Sequence, residues 1–110
     1  MVAPATVPVR VSPEAAARVA SLGLEAEMRR MIDYARQLLP EATRIEVVLY
    51  ERDEVGEPPG VAVEVYTPFD SFDPDVRTRG KIGEWLVAEF PPQVLEHLLI
   101  DHLPEAPNAG

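Results

Sequence analysis

Two stretches of this chain alternate their side chains with period two, and they lie close enough to pair. RIEVVLYER (44–52) sets Ile45, Val47 and Leu49 on one side and Glu46, Val48, Tyr50 and Arg52 on the other. VAVEVYT (61–67) sets Val61, Val63 and Val65 against Ala62, Glu64 and Tyr66. The DEVGEPPG segment between them is too rich in glycine and proline to continue either strand. Alternation on both sides of such a loop predicts an antiparallel hairpin, 44–52 with 60–67. One of its faces is wholly aliphatic and must be buried, yet two strands alone are marginal in water. Helices must therefore cover that face, and something must extend the sheet: the VPVRV segment (7–11), a second copy of the chain, or both.

The helices announce themselves by punctuation. Ser12 precedes Pro13 and Glu14, an N-cap followed by the residue types favoured in a first turn. Gly23 interrupts or bends the helix that follows. Beyond it, Leu24, Met28, Met31, Ile32, Ala35, Leu38 and Leu39 recur with helical spacing, opposite Glu25, Arg29, Arg30, Asp33 and Arg36, until Pro40 stops the run. A further helix opens at Asp73–Pro74 and reaches about Phe90, and Pro91–Pro92 break it. QVLEHLLIDHL (93–103) reads as a final short helix with Val94, Leu95, Leu98, Leu99 and Leu103 apolar. The expected fold is a two-layer α+β sandwich: a small antiparallel sheet built on the hairpin, with 7–11 as a candidate third strand at an edge because Pro8 lacks an amide donor. Helices cover one face.

The chain is 110 residues, read as a single domain 1–110 with a loose arm at 1–6 and a tail at 104–110. It has no cysteine, which excludes disulfides, thiolate catalysis and cysteine-based metal centres. No apolar run approaches a membrane span and no secretory leader pattern opens the chain, so the expected location is cytoplasmic. The net charge of −9 repels nucleic acid and anionic membranes unless the cations are segregated. Nine of the ten cations are arginine and amides are scarce, which suits a thermophile; a GC-rich genome accounts for the Ala, Arg and Pro bias equally well.

One stretch concentrates charge: TPFDSFDPDVRTRGKIGEW (67–85) holds Asp70, Asp73 and Asp75, then Arg77, Arg79 and Lys81. Local helix electrostatics explain most of it. Asp73 caps, Asp73 and Arg77 stand four apart, as do Asp75 and Arg79, and Lys81 faces Glu84. The rhythm of a calcium loop is absent. GKIG at 80–83 is a GxxG motif. In order, helix, strand, strand, short helix, GxxG and helix resembles a KH RNA-binding module, whose GxxG loop clamps a nucleic-acid backbone. That resemblance covers about half the chain, although Thr78 and Arg79 stand where KH sequences place apolar residues. It implies that Gly80, Lys81, Ile82 and Gly83 hold phosphate beside Arg77 and Arg79. Packing offers the other account of the glycines: Val76, Gly80, Gly83, Val87 and Phe90 share a helical stripe, with Trp85 on its flank beside Ile82. The first 39 residues, with VPVRVSPEAAARVASLG at their head, also resemble a ribbon–helix–helix repressor, but Arg10 alone would read a base there.

His97 and His102 are the only histidines. Read as a helix, HLLIDH brings His97 and Asp101 to one face with His102 adjoining, which makes these three the candidates for a metal or acid–base site. The pair is equally an ordinary exposed helix pair. No nucleophile motif, phosphate loop or dinucleotide fingerprint is present, and no cofactor is expected. The leading expectation is a small acidic protein–protein interaction domain, a homodimeric accessory or regulatory protein without catalysis. Its contact residues are Val48, Tyr50 and Tyr66 on the outer face of the hairpin, with Trp85. The alternatives are nucleic-acid binding through Arg77, Arg79, Gly80, Lys81 and Gly83, and a small metal-dependent enzyme around His97, Asp101 and His102.

Overall fold

The structure, a computed structural model, describes residues 7–51, 56, 58–68 and 76–106, with backbone alone at 76 and 77. Its elements in chain order are β1 (Val9–Val11), α1 (Pro13–Leu22), α2 (Glu25–Leu38), β2 (Arg44–Tyr50), β3 (Gly60–Thr67), α3 (Val76–Glu89), α4 (Pro92–Leu95) and β4 (Leu98–Pro104). The four strands form one sheet in the order β1-β2-β3-β4. The central pair is antiparallel, with Ile45 opposite Val65, Val47 opposite Val63 and Leu49 opposite Val61, so the hairpin forms in the register its alternation predicts. β1 joins β2 in parallel and β4 joins β3 in parallel. Each half of the chain is thus strand, two helices, strand, and the hairpin links the halves. The fold is α+β, with the helices packed on one face of a mixed sheet.

That inner face is where the core lies. Ile45, Val47, Val61, Val63 and Val65 are fully buried against Ala15 and Val19 of α1 and against Met31, Ile32 and Ala35 of α2. Burial of each such aliphatic side chain contributes about 1.5–3 kcal/mol, which lets a sheet this small stand. α1 is set by its ends. Ser12 Oγ accepts the Ala15 N–H at 3.1 Å, and Gly23 takes the left-handed conformation (φ 68°) that lets its N–H and that of Leu24 close onto the Ala20 and Val19 carbonyls. α2 starts two residues later, so the glycine separates two helices.

Three expectations are corrected. The segment 93–103 does not form a helix: a single helical turn (Pro92–Leu95) gives way to the strand β4. The open edge of β3 is the reason. Leu98, Ile100 and His102 fall in register beside Val61, Val63 and Val65 and are buried with them, so tertiary pairing overrides a spacing that also fitted a helix. As a consequence, the sheet is mixed and not wholly antiparallel: the candidate strand 7–11 forms as β1, and it and β4 extend the hairpin from within the chain, each in parallel. Finally, α3 presents Ile82, Leu86 and Phe90 to the core, spaced by four, while Val87 is 73% exposed. The stripe through Gly80, Gly83 and Val87 looks outward instead, because the larger apolar residues take the buried side.

The helix expected from Asp73 is described from Val76 onward; Asp70, Asp73 and Asp75 lie outside the described residues, as do the arm 1–6 and residues 107–110. No described helix is long and apolar enough to cross a membrane.

Neither Gly80 nor Gly83 is required by packing. A Cβ built on either meets nothing within 4 Å, and neither has a positive φ. Glycine inside a helix costs about 0.5–1 kcal/mol relative to alanine. Gly80→Ala and Gly83→Ala are therefore each expected to raise stability by about that amount, read from urea denaturation midpoints.

Candidate functional site

Among the described residues no helix packs on the second face of the sheet, and the residues of that face follow from register. Val48, Ala62 and Leu99 stand side by side across β2, β3 and β4. Toward the hairpin loop, Tyr50 pairs with Gly60, and its ring lies where a Cβ on Gly60 would fall, so the glycine makes room for the aromatic. Next along the strands in the other direction come Glu46, Glu64 and Asp101, one carboxylate per strand, with Arg10 of β1 at the end of their row. Beyond them stand Arg44, Tyr66 and Leu103. None of Val48, Tyr50, Ala62, Tyr66, Leu99 and Leu103 belongs to the core cluster on the helix side.

Like charges directly opposite on a sheet repel, so the acidic row needs compensation. Arg44 provides it for Glu46. Its Nη1 lies 2.6 Å from Glu46 Oε2, its Nε 2.7 Å from Glu105 Oε1, and its guanidinium sits 3.6 Å from the Tyr66 ring centroid. Glu105 also accepts the Thr43 hydroxyl at 2.8 Å and donates its backbone N–H to Thr67 C=O at 2.7 Å. The segment that follows β4 is thereby tied across β3 to the start of β2. The Tyr66 hydroxyl donates to Glu64 at 3.1 Å.

The pKa shifts follow these contacts. The hydrogen bond from Arg44, then that from Thr43, holds the Glu105 carboxyl below its ordinary value, and Arg44 itself is raised chiefly by the bond to Glu105. Burial pushes the Tyr66 phenol up, and its bond to Glu64 pushes in the same direction.

Of the residues singled out in the sequence, Val48, Tyr50 and Tyr66 share this face. Trp85 does not. It stacks on Tyr34 in the seam between α2 and α3, with ring centroids 3.9 Å apart and planes 1° from parallel, and it meets Phe90 edge-on at 5.3 Å. Arg30 lies over the Phe90 ring at 4.6 Å and pairs with Glu89 at 2.5 Å, closing the seam. Burial, reinforced by Glu84, raises the Tyr34 pKa.

The GKIG residues lie within α3 rather than in a loop between helices, so their backbone amides belong to the helix's own i to i−4 ladder. Arg79 and Lys81 are exposed on that helix, and the Arg77 side chain lies outside the described residues. The histidine trio is divided by the strand. His102 points inward and is buried, its Nε2 2.9 Å from Thr67 Oγ1, whereas Asp101 stands on the opposite face beside Glu64. His97 sits in the turn before β4, where its carbonyl accepts the Val61 N–H at 2.8 Å. Among the described residues, no three histidine or carboxylate side chains are placed to hold a metal ion.

Alternation placed Ala62 on this face, but sequence reasoning missed Leu99 and Leu103 as its members, and Arg44 and Glu105 as its organisers. Reading 98–103 with period two would have exposed the leucines. The link from Glu105 to Arg44 spans 61 residues and leaves no local signal. No protein-family model, curated protein or solved structure matches the chain.

A pH dependence follows from Glu105. A carboxylate whose pKa falls on folding contributes stability that is complete above its ordinary value and lost as pH drops through the lowered one. The stability difference between wild type and Glu105→Gln is therefore expected at neutral pH and should close as pH is lowered below 4.5, followed by denaturation midpoints across that range.

Proposed function

We propose that this is a protein–protein interaction domain without catalysis of its own, working as a homodimeric accessory or regulatory protein. The observation that carries the reading is the sheet face opposite the helices, where half-buried Val48 and Leu99 flank buried Ala62 in a continuous apolar row with Tyr50 beside it. A sheet face that meets only water tends to alternate cleanly to polar residues, whereas these positions keep aliphatic and aromatic side chains. The Arg44 network supports the same reading, since it holds Glu46 and Tyr66, and Tyr66 in turn Glu64, in one arrangement through contacts within the chain, and a surface ordered beforehand loses less entropy on association. The dimer is proposed to bury the two faces against one another. Extension of the sheet is not the driving force, because β1 and β4 already flank the hairpin.

Sedimentation equilibrium over a range of concentrations tests this. The wild type is expected to dimerise, and Leu99→Glu or Val48→Glu to shift it to monomer, because either buries a carboxylate in the contact. Val87→Glu, on the exposed side of α3, should leave the association unchanged. A wild type that stays monomeric at every concentration overturns the reading.

A further inference from the structure

β1 is the outermost strand on its side of the sheet, and its bonds to β2 use every second residue. Ile45 N–H donates to Pro8 C=O at 2.9 Å and Ser12 N–H to Val47 C=O at 3.0 Å. With Arg10 paired to Glu46 between them, the even-numbered backbone groups turn toward β2. The N–H and C=O groups of Val9 and Val11 therefore point away from the sheet, and no described residue bonds them. The next outward carbonyl, that of Val7, already accepts from Arg36 Nη2 of α2 at 3.3 Å. The donor that Pro8 lacks belongs to the β2 side, so the outward edge keeps its full alternation.

This edge has hollows beside it. A cavity of about 300 Å³ between β1 and α2 is lined by Val9, Arg29, Ile32, Asp33 and Arg36. Another of about 390 Å³ is lined by Pro8, Val9, Arg10, Arg44, Ile45 and Glu46. A strand laid along β1 would send alternate side chains toward each. The charge is equally one-sided. Arg10 and Arg29 are exposed and have no ion-pair partner among the described residues, and Arg36 shares Asp33 at 3.6 Å. Counting Arg44 and Glu46, which line the second hollow and pair with each other, the edge sets four guanidinium groups against two carboxylates, an inversion in a chain of net charge −9. A second copy added by the same edge would gather both sets of arginines together, which disfavours it as the occupant.

We infer that the β1 edge binds an extended acidic peptide segment as a fifth strand, hydrogen-bonded to Val9 and Val11, with carboxylates on Arg29 and Arg10 and an apolar side chain over Val9 and Ile32. Backbone pairing supplies affinity and the alternating pockets supply selectivity, the usual division in strand addition. This site adjoins the proposed dimer face, sharing Arg10 at the end of the acidic row, but peptide binding along the β1 edge does not require the dimer.

The test is fluorescence anisotropy with a short fluorescein-labelled peptide alternating glutamate and valine. The wild type is expected to bind it. Arg29→Glu, at an exposed helix position, should weaken binding by about tenfold or more, as should replacing the peptide's glutamates by glutamine, each change removing a charge pair worth about 1.4 kcal/mol or more. Methylating alternate peptide amides should abolish binding, because it removes the donors to the β1 carbonyls. Circular dichroism of Arg29→Glu confirms that the fold is retained. The inference is overturned if the wild type fails to bind, if the methylated peptide binds as well as the parent, or if Arg29→Glu binds unchanged.

Discussion

The aliphatic face of the central hairpin is the constraint from which the rest of this structure follows. Ile45, Val47, Val61, Val63 and Val65 are locked in one register, and a slip of a single residue would turn all of them to solvent. Burying them requires a helical layer, and α1, α2 and α3 supply it in two crossings. Each crossing then returns the chain beside the hairpin in parallel, β1 ahead of β2 and β4 after β3. The sheet is mixed because its centre is a hairpin and its flanks are crossovers.

Covering one face leaves the other to satisfy different demands. Three carboxylates in a row across neighbouring strands would be an unfavourable way to finish a sheet unless something compensated them. Arg44 answers one of them by pairing with Glu46, and it also reaches Glu105 beyond β4 while its guanidinium lies over Tyr66, whose hydroxyl donates to Glu64. One side chain thus combines charge balance, aromatic packing and a tie to the segment beyond β4, a combination that a lysine's single ammonium could not reproduce. The face is thus ordered by contacts within the chain itself.

How much of this was legible in the sequence depended on whether the signal was local. The hairpin was readable because alternation and the DEVGEPPG breaker agree. α1 was readable from Ser12, Pro13 and Gly23, and α2 from its apolar period and Pro40. β4 was not, because Leu98 to Leu103 is apolar on both faces: Leu99 and Leu103 on the outer side filled in the pattern and made period two look like a helix. Its identity as a strand is decided by the open edge of β3, far away in sequence. The same limit applied to the site. Val48, Tyr50 and Tyr66 were found by alternation on their own strands, but their neighbours Leu99 and Leu103 arrive with β4, and Glu105 arrives after it. The His97, Asp101 and His102 grouping failed for that reason too, since a strand sends Asp101 and His102 to opposite faces.

α3 shows where tertiary contact outweighs local preference most clearly. Two interior glycines cost it about 1–2 kcal/mol relative to alanine, and no close approach justifies them. The helix nonetheless persists through Glu89, and the reason lies on α2. Ile82, Leu86 and Phe90 are buried in the common core, and Trp85 is clamped against Tyr34 while Arg30 reaches Glu89. Aromatic contacts of this kind add about 0.5–1.5 kcal/mol beyond the area they bury, enough to offset much of the glycine penalty. α3 is therefore helical because α2 holds it, and loss of the Tyr34–Trp85 stack would be felt as loosening of the second crossover and, through it, of the β4 strand that completes the outer face.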